Sequence, residues 1–342
     1  MELNAIKTPE RNYGISLVRF IAMVFIISCH IFQHYRMEAA WWFNVGVQIF
    51  FCISGFLYGN RKITSPIDFF KKNARKILVP YYTFLIPAII LFYIFHSNYV
   101  SKPKIFHVLL GGKTIGGLGH LWFISYILFC YFITPYLSGL AEKMKKLKWP
   151  MFLLVFGFMS CFLSDIFLVF GSHFRFDRIF CYLFGYFAAV FMQNYKPSIF
   201  KILTCLLAIL TVFMNAVRIY YTYVSPRTSE RFDLFVKYAH AFLGISIALL
   251  FVVLFKNLKR NAFLDLSDKY SFFIYIVHQF FILGPFTLMD LTNNPYLNIF
   301  IVIVAVLISA VILKYLVSIV EKVIDAILKL LKPIFCSENT EK

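Results

Sequence analysis

Arg19 and His30 stand eleven residues apart in the run RFIAMVFIISCH, with no charge between them. On an α-helix that spacing advances about 16 Å and turns about 1100°, within roughly 20° of whole turns, so the two side chains share one face. The surrounding segment, Ile15 to Ile31, is long and apolar enough for a buried or membrane helix. An ionisable group is costly to keep in such a helix and therefore marks a site for proton or anion chemistry. The competing reading has Arg19 snorkelling to the headgroups and His30 hydrogen-bonded inside a helix bundle.

Further stretches carry side chains of similar interest. FFKKNARKILVPYY sets Lys71, Lys72, Arg75 and Lys76 at the start of an apolar run. They either follow the positive-inside rule alone or bind the phosphates of a cytoplasmic anionic ligand. FNVGVQIFFCISGFLYG holds Gln48 and Ser54 among Gly46, Gly55 and Gly59, small residues that allow helices to approach closely. Gln48 is interhelix glue or a hydrogen-bond partner for a group such as His30. GHLWFI brings His120 and Trp122 to the mouth of another run, where Trp is common in the interfacial belt. SFFIYIVHQFF holds His278, either a satisfied bundle histidine or a chemical group.

The elements that must position these residues are membrane helices. The 342 residues are 61% hydrophobic and only 15% charged, against about 25% charged in a soluble domain, and the mean hydropathy is +0.76. Ten candidate spans lie near 15–33, 42–59, 77–96, 121–138, 150–170, 176–193, 199–219, 235–255, 271–289 and 297–317. The expected fold is an all-α polytopic membrane protein forming one domain over 1–342. The net charge of +18 comes from Lys and Arg in short loops, which argues against a nucleic-acid partner. Counted on alternate sides of the ten spans, 22 basic residues face one side and 9 the other, so both termini are expected in the cytoplasm. That orientation puts Arg19 near the inner face and His30 in the outer third. Residues 318–342 read as an amphipathic tail on the inner surface, stopped by Pro333. The seven cysteines show no paired spacing, so neither a metal site nor a disulfide framework is expected.

Together these segments resemble the membrane acyltransferase-3 family, whose members O-acylate glycans and other acceptors. Arg19 and His30 match its first-helix pair. Phe50, Phe51, Ser54, Gly55 and Phe56 match its Phe-Phe-x-x-Ser-Gly-Phe element, with Gln48 standing where many members carry an acid. Lys72, Arg75, Lys76, Pro80 and Tyr81 match the basic run that opens its third helix, although the family's Arg-x-x-Arg element reads Asn73 to Lys76 here. His120 to Phe123 match a His-Leu-Trp-Phe element, and Ser271, Tyr275 and His278 match a late Ser-x-x-x-Tyr-x-x-His element.

The resemblance implies an acyl-CoA donor, expected to be acetyl-CoA, and a hydroxyl acceptor on an envelope or lipid-linked glycan, with no bound cofactor. It makes His30 the general base, because a histidine can take the proton of a hydroxyl as the ester bond forms. Arg19, Lys72, Arg75 and Lys76 would hold donor phosphates. His120 and Trp122 would position acceptor or thioester, with Gln48, Ser54 and His278 as further contacts. The expected location is a cell membrane, that of a bacterium first of all. Two other classes fit ten spans with a few intramembrane polar groups. One is a transporter or exporter of a glycan or lipid precursor, although no inverted repeat is visible and the nearest acid within a span is Asp165. The other is a sensor that has kept the fold without the activity.

Overall fold

The computed structural model describes residues 12–59, 61, 63–111, 115–144, 156–157, 159–160, 163–164, 176–194, 196–226 and 229–337. Among the described residues every regular element is helical. In chain order they are α1 (Tyr13–His34), α2 (Ala39–Phe43), α3 (Gly46–Gly59), α4 (Pro66–Phe95), α5 (Lys102–Leu109), α6 (Trp122–Met144), α7 (Phe176–Asn194), α8 (Pro197–Ile219), α9 (Glu230–Leu254), α10 (Ala262–Ile282) and α11 (Pro295–Ser337). Seven of the described stretches are long and apolar enough to cross a membrane, carried by α1, α2 with α3, α4, α6, α8, α9 and α11. α7 and α10 fall outside that set, since each opens with charge: Asp177 and Arg178 in one, Asp265, Asp268 and Lys269 in the other. Span 150–170, with Asp165, lies largely outside the described residues.

Local chemistry explains the boundaries. Ser65 caps α4 by accepting the Asp68 N–H at 3.3 Å, with Pro66 in the first turn, where a missing N–H costs nothing. Ser229 caps α9 in the same way, accepting from Phe232 at 3.2 Å. The segment expected as one span at 42–59 is divided by a turn at Asn44 and Val45. The span expected at 271–289 is displaced toward the N-terminus and ends at Ile282. There Gly284 takes φ +92°, a left-handed conformation open to glycine, and Pro285 follows. Pro333 does not stop the last helix, which continues to Ser337. A proline so near a helix end removes one hydrogen bond from turns that are about to finish.

The chain divides into two compact units that alternate along the sequence. The first takes Met1–Cys29, Glu38–Ile63 and Ile133–Lys269. Its tightest crossing joins α3 to α7, where a Cβ on Gly55 would collide with the Tyr182 carbonyl and one on Gly185 with the Cys52 carbonyl. Backbones that meet this closely supply the van der Waals contact that replaces the hydrophobic drive inside a bilayer. The Thr134 and Tyr182 hydroxyls bond at 2.5 Å in the same core.

The second unit takes His30–Met37, Thr64–Phe132 and Tyr270–Lys342. In it α4 runs along α11, and Arg75 pairs with Asp325 at 2.7 Å. Phe92 meets Phe280 and Phe286 edge-on, and those two rings stack with centroids 4.8 Å apart. Tyr81 donates to the Val108 carbonyl, tying α5 back to α4.

Candidate active site

Three histidines from three distant parts of the sequence converge in the second unit. His30 lies near the end of α1, His120 sits in a 3₁₀ turn just before α6, and His278 is on α10. Ring centroids are 5.1 Å apart for His30 and His278, 4.8 Å for His120 and His278, and 6.5 Å for His30 and His120. All partners described below for these rings belong to the same unit.

The hydrogen-bond partners orient each ring. The His120 backbone N–H donates to Gln279 Oε1 at 2.7 Å, which fixes that carboxamide with its oxygen toward His120. The same oxygen faces His120 Nδ1 at 2.7 Å, while His120 Nε2 faces the Ile276 carbonyl at 2.9 Å. Both nitrogens of this ring therefore meet oxygens of the protein, and neither is left for a substrate. Tyr275 completes the clamp by donating its hydroxyl to the His120 carbonyl at 2.5 Å. His278 donates Nδ1–H to the Tyr275 carbonyl at 2.6 Å. Its Nε2 then carries a lone pair with no partner, and the side chain is sealed at 0% exposure.

His30 differs from both. Its Nδ1 lies 2.7 Å from Gln33 Oε1 and 3.4 Å from Gln279 Nε2. The shorter contact dominates, so Nδ1 donates to Gln33 and the lone pair is on Nε2. His30 is also the one ring of the three that keeps some exposure; His120 is 3% exposed. A held ring with a bare, reachable nitrogen is the geometry of a general base. Among the described residues no group of three or more His, Cys, Asp or Glu is arranged to hold a metal ion.

Trp122 is half-buried in the second unit, with Tyr126 edge-on to its ring at 5.4 Å. Lys72 and Lys76 are exposed on the first turns of α4, whereas Arg75 is engaged by Asp325 and by the Glu321 carbonyl at 3.3 Å. Arg19 belongs to the first unit. Its guanidinium pairs with Asp268 at 3.5 Å, and Asp268 also accepts from Ser16 at 2.6 Å. Gln48 is buried at 4% exposure in the first unit, packed against Gly244, and its Oε1 has no partner among the described residues. The carboxamide that holds His30 is that of Gln33, with the amide nitrogen of Gln279 lying beside the ring. Ser54 is half-buried on α3, with no base bonded to its hydroxyl among the described residues.

Gln33, Gln279 and Asp268 were not singled out from the sequence. Gln33 was within reach of that reading, because it stands three residues after His30 and so shares its helix face. Gln279 was not, since its role depends on a backbone N–H from a loop 159 residues away.

A family model described as an acyltransferase domain, of the acyltransferase-3 type, matches residues 12–317. Comparison with curated proteins and with solved structures gives no match.

Proposed function

The chain belongs to the acyltransferase-3 family and is a multi-pass membrane acyltransferase; from that premise we propose that it moves an acyl group, acetyl in the simplest case, from cytoplasmic acyl-CoA to a hydroxyl of an envelope or lipid-linked polysaccharide. The observation that carries this reading is the bare, partly open Nε2 of His30, in a ring already held through Nδ1.

A neutral hydroxyl is a weak nucleophile. As its oxygen closes on the thioester carbonyl carbon, its proton passes to His30 Nε2. Gln33 accepts from Nδ1–H throughout and steadies the imidazolium that forms. The carbon–sulfur bond then breaks, CoA leaves as its thiolate, and His30 gives up the proton. His120 enters as a positioning residue: locked by Ile276 and Gln279, it holds the carboxamide that lies beside His30. His278 backs the His30 ring from its sealed pocket. Lys72 and Lys76 offer the donor's phosphates two exposed cations, while Arg75 serves the contact of α4 with α11.

In this reading ten spans cross a plasma membrane, both termini are cytoplasmic, and the end of α11 lies along the inner surface. A cysteine introduced at Ser65 then reacts only with membrane-permeant reagents, and external labelling there overturns the orientation. The function itself is tested by mass spectrometry of envelope glycans from cells with and without the protein. Loss of an acyl mass, 42 Da per site for acetyl, is expected in its absence; an unchanged glycan profile contradicts the acceptor.

A further inference from the structure

Arg218, on the last turn of α8 in the first unit, is buried at 5% exposure, and neither its Nε nor its Nη1 has a hydrogen-bond partner. It makes no ion pair among the described residues. The acid near it, Glu38, accepts from the Tyr223 hydroxyl at 2.9 Å instead. The guanidinium lies over Trp41, 3.0 Å from the ring centroid, and 4.9 Å from that of Trp42. His240 stacks on Trp41 at 4.3 Å, so the indole is held between the two. One turn back on α8, Asn215 donates its Nδ2 to the carbonyls of Thr211 and Ala239 at 2.9 and 3.2 Å. That fixes its Oδ1 as an acceptor, buried and without a partner.

An arginine is charged at any physiological pH, and leaving its buried donors unmatched is expensive. The indole faces offset part of that cost but accept no N–H in the plane of the guanidinium. What is missing is an anion. The unpaired Asn215 Oδ1 asks in addition for a donor such as a hydroxyl. Trp42, 37% exposed, offers a flat apolar face at the same place. A negative group, a hydroxyl and a flat C–H face occur together in an acidic sugar.

We propose that Arg218, Asn215 and Trp42 form a binding site for a sugar that carries a carboxylate or phosphate, with the anion on Arg218 and the ring against Trp42. The proposal rests on the glycan-acceptor reading above and narrows it: the acceptor, or a sugar unit of it, is acidic. In the orientation given above, α2 and the end of α8 lie on the extracytoplasmic side, where such an acceptor would be met.

The test uses the full-length protein in phosphatidylcholine nanodiscs and saturation-transfer NMR with three probes: glucuronate, glucose 1-phosphate and glucose. Wild type is expected to give transfer to one or both anionic sugars and none to glucose at equal concentration. Arg218→Met should weaken anion binding about tenfold or more, and Arg218→Lys should restore part of it. Trp42→Ala changes an exposed residue and leaves the fold intact, so it keeps the test open if Arg218→Met does not fold; it should weaken binding several-fold. Equal binding of glucose and glucuronate overturns the proposal, as does unchanged glucuronate binding in Arg218→Met or Trp42→Ala. Loss of the wild-type signal when phosphatidylglycerol replaces phosphatidylcholine also overturns it, by assigning the site to a lipid headgroup. This readout needs no turnover. Absence of any acyl transfer with sugar binding intact would count against the function, whereas transfer without this binding counts against the site alone.

Discussion

His30, His120 and His278 of the second unit and the arginines at the starts of α1 and α4 are held in opposite ways. Arg19 and Arg75 each meet a carboxylate, Asp268 and Asp325, and these pairs fasten one helix to another. These three histidines meet no carboxylate among the described residues, unlike His34 of the same unit, which pairs with Asp290 at 3.0 Å; carboxamides and backbone carbonyls hold them instead. A charge tied to a countercharge is spent on structure. A ring oriented by neutral groups has no countercharge to hold, and His30 alone among the three keeps a bare, partly open nitrogen. The difference separates side chains that secure the helices from the one proposed to move a proton.

The largest effect expected from this contrast is on His30→Ala. The helix persists, because alanine favours it, and acyl transfer falls about 10²–10⁴-fold, the usual contribution of a positioned acid–base group. The check is kcat on purified protein whose detergent stability matches wild type. A near-normal rate would move the base to another residue. The pH dependence has a definite sign: once His30 Nε2 carries a proton it cannot accept one, so the rate falls toward acid pH, and this acid limb disappears in His30→Ala.

Next comes Gln279→Leu. It leaves the buried N–H of His120 unmatched and removes the carboxamide beside His30, a loss of about 1–3 kcal/mol. We expect kcat to fall roughly ten- to a hundredfold with KM for acyl-CoA unchanged; a KM effect alone would show that Gln279 serves the donor. His278→Ala should lower kcat less than His30→Ala, since its free nitrogen is sealed. The reverse order would make His278 the working base.

A smaller effect separates the basic residues from one another. Lys72→Ala with Lys76→Ala should raise KM for acyl-CoA about tenfold, through lost charge-assisted contacts. Arg75→Ala should leave KM nearer to wild type and lower stability instead, because its partner is Asp325. Equal KM effects for all three would return Arg75 to the donor site. The smallest effect is Asp268→Asn. Arg19 is 33% exposed and Asp268 8%, so solvent screens one end of the pair, and the neutral carboxamide still fits between Arg19 and Ser16. A slight drop in melting temperature with kcat intact is expected, and a large loss of kcat would place Arg19 in the chemistry.

Much of the site was legible in the sequence because membrane helices make polar residues conspicuous. His30 and His278 stand out in their apolar runs for that reason, and the spacing from Arg19 to His30 survives in an unbroken α1. Partners were harder to see. Asp268 sits three residues before the expected start of its span at 271, so nothing in the pattern marks it, yet it is the counterion of Arg19. Gln279 follows His278 and looked like its neighbour, but its oxygen serves His120. Trp41 and Arg218 do not stand out in the sequence, since nothing local to either predicts that one lies on the other. Helix spacing reports which residues share a face. It does not report which carbonyl or amide a distant loop will present to them.

The most direct measurement of the central claim, that the acceptor hydroxyl takes the acyl group straight from CoA with His30 as its base, is a single-turnover experiment with purified wild-type protein and acetyl-CoA, following free thiol with and without acceptor. The account predicts thiol release only when acceptor is present, at a rate that collapses in His30→Ala. A burst of about one thiol per protein without acceptor would reveal an acyl-enzyme and contradict direct transfer.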